Sequence, residues 1–170
     1  MKKLLFFSLS LALMSCQTAT PEREIGYHPN KDKDVANTGW YLGTDAAIDV
    51  VVALDKVWKE RDYDTMATFF ADSVRITTSR GQRYQTAEAF FAPMKERKNT
   101  SLSWELMSIH SVDIKPNIGG EHVMARFKNT WKDSLGNDRI SNSFESYYVV
   151  DGKVVWLDQF AQRPLKEDAQ

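Results

Sequence analysis

At about Asn99 the chain changes period, and that change limits the possible fold more than any other feature. Before it, apolar residues recur at three- and four-residue intervals, the mark of helices with one buried stripe. After it they alternate with polar residues, as in half-buried strands. Four extended runs are predicted: Leu102–Ile114, His122–Trp131, Arg139–Val150 and Lys153–Ala161. The intervening KPNIGGE, KDSLGN and Asp151-Gly152 are turn chemistry, and Asp-Gly between apolar runs is a strong hairpin signal. Helices followed by an antiparallel meander make an α+β pattern, with three N-terminal helices packed on one face of a strongly curved antiparallel sheet.

The helical half has legible boundaries. A domain is expected from about Gly39, with Thr44 capping a helix whose stripe is Ala47, Val50, Val51, Leu54, Val57 and Trp58. RDYD interrupts it, and Asp62 or Asp64 can cap a short second helix on which Met66, Phe69 and Phe70 share a face. The β-branched VRITT then predicts a strand, and SRGQ a turn. Thr86 caps a third helix with Ala87, Phe90, Phe91 and Met94 inward, and Pro93 is expected to end or kink it.

Composition narrows the functional classes. A chain of 170 residues with 42% hydrophobic and 26% charged residues suits a single domain. Its net charge of −1, without a clustered Lys and Arg excess, argues against a nucleic-acid partner. The start, MKKLLFFSLSLALMSC, joins two lysines to an apolar run too short to span a bilayer, as in a secretory signal. LMSC, ending on the chain's only cysteine, resembles the bacterial lipobox, which implies cleavage before Cys16 and diacylation of its thiol. Residues 1–15 are then a signal peptide, and 16–38 a lipidated cysteine with a flexible tether of roughly 25 Å. The folded domain is 39–170, held at the cell envelope by a membrane anchor. Gln17 after the cysteine, rather than aspartate, favours the outer membrane.

The element order, with RDYDTMATFFADSV ahead of the first strand and YYVVDGKVVWLDQF closing the sheet, resembles the nuclear transport factor 2-like superfamily. Its SnoaL-like and ketosteroid-isomerase-like members are cone-shaped α+β barrels, and the resemblance covers about residues 39 to 162. It implies a pocket between the helices and the concave sheet face. It also implies an isomerase base at the end of the first strand, where this chain has Thr78, and a tyrosine on the first helix, where it has Leu54. The third isomerase position falls near Glu145 or Ser146. A threonine hydroxyl does not take a proton from carbon unaided, so the isomerase mechanism is not transferred.

The expected ligand-binding residues are Leu54, Thr78, Phe90, Arg126, Glu145, Leu157 and Gln159, with Glu145 the candidate general acid or base and Arg126 its orienting partner. His110 and His122 lie on neighbouring strands but lack a third ligand at definite spacing, so neither a metal nor another cofactor is assigned. Alternation puts Trp156 and Phe160 on one face of the last strand, and the resemblance, which implies that Leu157 and Gln159 line the pocket, makes that the outer face. There they would form a homodimer interface or be covered by Trp40 and Tyr41. Three functions stay open. The cone holds a small apolar or amphipathic molecule without turnover, or it is a SnoaL-like isomerase, cyclase or hydratase using Glu145, or it is filled and the protein is an interaction subunit.

Overall fold

The computed structural model describes residues 23–31, 38–96, 102–114 and 119–162. The proposed signal peptide and Cys16 lie outside them. An eight-stranded sheet carries three helices on one face. Its strands are β1 (Gly26–His28), β2 (Thr38–Leu42), β3 (Phe70–Thr77), β4 (Arg83–Tyr84), β5 (Ser103–Asp113), β6 (Glu121–Lys132), β7 (Asp138–Val150) and β8 (Lys153–Ala161). Their order across the sheet is β1-β2-β5-β6-β7-β8-β3-β4, antiparallel except where β3 runs parallel to β8. The long strands match the predicted runs to within a residue or so. Asp151 and Gly152, both at positive φ, make the tight turn between β7 and β8.

Helix α1 (Asp45–Glu60) begins where the sequence predicts, with the Thr44 hydroxyl accepting from the Ala47 amide. Glu121 on β6 accepts the Thr44 and Ser111 hydroxyls, each at 2.7 Å, and so fixes the start of α1 to the sheet. Helix α2 (Tyr63–Ala67) is capped by Asp62, and α3 (Ala87–Lys95) by Thr86. Pro93 falls inside α3, which stops two residues later.

Two expectations need correction. The tether is not coil throughout: its Gly26–His28 pairs antiparallel with Thr38–Leu42 at the start of the domain, and β2 continues the sheet alongside β5. His28 pairs with Thr38 in that ladder and is exposed. Phe70 opens β3 instead of closing α2, because α2 ends after one turn and the chain is already extended.

The core fills the space between the helices and the concave face. Val51 and Leu54 from α1, Met66 from α2 and Phe90 and Phe91 from α3 meet Ile76, Val123, Ala125, Val154 and Leu157 from the sheet, all buried. Each large side chain removed from water contributes about 1.5–3 kcal/mol. Trp58 meets Phe90 and Phe91 edge-on at 6.0 and 5.8 Å, locking α1 to α3. The core occupies one end of the hollow and leaves the other open.

Candidate functional site

That open end is a cavity of about 260 Å³. The cone is therefore not filled, which removes the support for the interaction-subunit reading. Trp58, Tyr63, Trp104 and Phe127 give the cavity aromatic walls, Met94 adds an apolar contact, and Arg61 and Leu102 stand exposed at its border.

Register decides which polar groups reach it. Glu145 pairs with Ala125 on β6 and Gln159 on β8, so these residues share the concave face with Ser143 and Tyr147. The Glu145 carboxylate faces the cavity. It accepts a hydrogen bond from the Tyr147 hydroxyl at one oxygen and from Gln159 Nε2, at 2.8 Å, at the other. Burial holds the Glu145 carboxyl above its ordinary range, outweighing these two donors, and the charge of Asp55 pushes the same way. Burial together with the adjacent Glu145 also raises the Tyr147 phenol well above its usual value, so it stays a donor.

Across the cavity, Asp55 projects from α1. Its carboxylate accepts the Trp104 indole N–H at 2.7 Å and pairs with Lys59 at 2.9 Å. Further along the wall, Asn129 Nδ2 donates to Ser143 Oγ at 3.0 Å. The lining thus sets an acid whose carboxyl burial makes harder to ionise opposite a second, hydrogen-bonded carboxylate. Groups so placed can anchor a polar head or exchange a proton with one.

The residues nominated from sequence separate cleanly. Glu145 and Gln159 line the cavity and touch each other. Leu54, Phe90 and Leu157 face the same hollow but are fully packed in the core. Thr78 is spent on a turn: its hydroxyl accepts from the Arg80 and Gln82 amides, away from the cavity. Arg126 is misassigned. It pairs with Phe144 on the outer face and is exposed, while its neighbour Ala125 faces Glu145. Arg126 therefore does not orient Glu145; Tyr147 and Gln159 do.

Asp55 was missed, although Val51, Asp55 and Trp58 fall at helical spacing and the acid interrupts an inward stripe. His110 and His122 hold no metal constellation, and among the described residues no group of three or more potential ligands forms. The His122 ring instead lies 5.4 Å from Trp40 and 4.6 Å from Tyr148.

Trp156 and Phe160 do sit on the outer face. Arg75 lies over the Trp156 ring, 3.3 Å from its centre, and His122 meets that ring edge-on. The His122 ring stands between Trp40 and Trp156 and meets both. Phe160 is 57% exposed beside Phe144.

No protein-family model and no curated protein sequence matches the chain. Solved structures do share its fold. A ketosteroid-isomerase candidate from Kribbella flavida matches 76% of this chain and 87% of its own length at TM-score 0.59 and 13% identity. An LEH-like epoxide hydrolase from M. tuberculosis matches 70% and 84% at 0.56 and 13%. An NTF2-like protein from Mesorhizobium loti matches 81% and 99% at 0.53 and 14%. At such identities the likeness is one of fold, and the fold is the α+β cone of the NTF2-like proteins.

Proposed function

We propose that the cone receives one small molecule with an apolar body and a polar head, and that it binds this molecule without turning it over. The observation behind this reading is the cavity itself: about 260 Å³ of space with aromatic walls and the Glu145–Tyr147–Gln159 group on one side. That size is just under the usual range for small-molecule sites, about 300–1,000 Å³, so the ligand is compact. Binding without turnover is supported by Thr78, whose hydroxyl is committed to a turn where the resemblance places a base. Trp58 and Trp104 supply the assay. Their fluorescence should respond saturably to a panel of compact aromatic and aliphatic alcohols, and Ser143→Phe, which fills the cavity, should abolish the response. A panel that leaves the fluorescence unchanged, or binding that Ser143→Phe does not disturb, would refute the reading.

A second reading has one observation in its favour. Burial raises the Glu145 carboxyl above its ordinary range, the direction that suits a general acid in a SnoaL-like isomerase, cyclase or hydratase. Substrate turnover lost in Glu145→Gln would establish it.

The proposal includes attachment to the cell envelope through lipidated Cys16, supported by the LMSC motif and testable by the mass of the N-terminal peptide. It also includes pairing of two copies through the outer face, supported by exposed Phe160 beside Phe144. Sedimentation of wild type against Phe160→Glu tests that pairing.

A further inference from the structure

We propose that the molecule held in the cone carries an organic ammonium group, a primary amine or a quaternary nitrogen, lodged between Glu145 and Asp55 against Trp58, Tyr63 and Trp104. The inference rests on the cavity being a binding site and names the chemical class of its ligand.

The charge pattern leads there. Both partners of Glu145 are neutral, the Tyr147 hydroxyl and the Gln159 amide. Among the described residues no lysine, arginine or histidine forms an ion pair with it. The ionisable group that acts on it from across the hollow is Asp55, of like charge. Burial and the charge of Asp55 both make the Glu145 carboxyl costly to ionise, and a cation lodged beside it offsets that cost. The positive groups near Asp55 stand toward water: Lys59, bound to Asp55, has a side chain 47% exposed, and Arg61 is exposed at the border.

Other ligand classes fit less well. An anion entering this space would face the acids Glu145 and Asp55, with the positive Arg61 only at the border. A neutral head could take the Glu145 proton but would leave the aromatic walls contributing area alone. An ammonium uses the walls twice, because aromatic faces attract cations as well as apolar groups. Trp104, its indole tied to Asp55, and Trp58 on the adjoining turn of α1 put rings and a carboxylate side by side.

A matched pair of probes isolates the charge: choline, and 3,3-dimethyl-1-butanol, its uncharged carbon isostere. In calorimetric titrations of the full chain near neutral pH, choline should bind about tenfold tighter than the alcohol or more. Glu145→Gln should reduce that ratio several-fold. Equal binding, or tighter binding of the alcohol, overturns the ammonium inference and leaves the cavity reading standing. Binding of neither probe also overturns it, and the alcohol panel with Ser143→Phe then judges the cavity reading separately.

Discussion

Replacing Glu145 by glutamine removes one titrating group from the hollow while keeping the side chain's shape. The amide oxygen can still accept from Tyr147, and Gln159 can turn its own amide to accept from the new NH2 group. In the wild type, burial raises the Glu145 carboxyl above its ordinary value of 4.5. Between the unfolded and folded values the native state binds more protons than the unfolded chain, so wild-type stability falls as pH rises through that window. One proton limits the slope to about 1.4 kcal/mol per pH unit. Glu145→Gln has no such term. Its stability relative to wild type should rise with pH from about the ordinary carboxylate value and level off above the folded one. Urea unfolding of both proteins across a pH series measures this, and the shared background of other titrating groups cancels in the difference. A difference that is flat with pH, or that falls as pH rises, would mean the carboxylate is well solvated or paired, and the description of the site would fail.

Three further outcomes follow from the same structure. Glu121 is pushed up by burial and pulled down further by hydrogen bonds from Ser111 and Thr44, with a net lowering. Its contribution is therefore present above the ordinary carboxylate value and lost as pH falls through the lowered one, so Glu121→Gln should cost about 1–3 kcal/mol near neutrality and little in acid, read by unfolding at both. Leu54→Ala opens a void in a fully buried position and should cost about 2–5 kcal/mol in denaturant unfolding. Arg75→Ala uncovers Trp156 and should cost about 0.5–1 kcal/mol while making tryptophan fluorescence easier to quench with acrylamide.

Much of this architecture was legible in the sequence because its signals are local. Thr44, Asp62 and Thr86 cap the helices that their positions announce, and Asp151-Gly152 turns β7 into β8. Alternation within a strand also held: Glu145 with Tyr147 inward, Trp156 with Phe160 outward. Arg126 failed for a different reason. Its relation to Glu145 depends on the register between two strands, set by hairpin geometry, and a slip of one residue moves a side chain to the other face. The edge strands β1 and β2 were hidden because Gly26–His28 and Thr38–Leu42 carry no alternating apolar run, and tertiary pairing alone makes them extended. Asp55 escaped notice because an acid on a helix is ordinarily solvated, and only the placement of Trp104 against it shows that it looks into the hollow.

The concave hollow, and not the outer face, is the ligand-binding surface proposed for this protein. Indole N–H resonances separate the two directly, since Trp58 and Trp104 line the cavity while Trp156 lies on the opposite side of the sheet. On titration with a compact ligand such as choline, the Trp104 resonance, whose N–H is held by Asp55, should shift saturably together with that of Trp58, and Trp156 should stay fixed. Movement of Trp156 with Trp58 and Trp104 unchanged would put the ligand on the outer face instead.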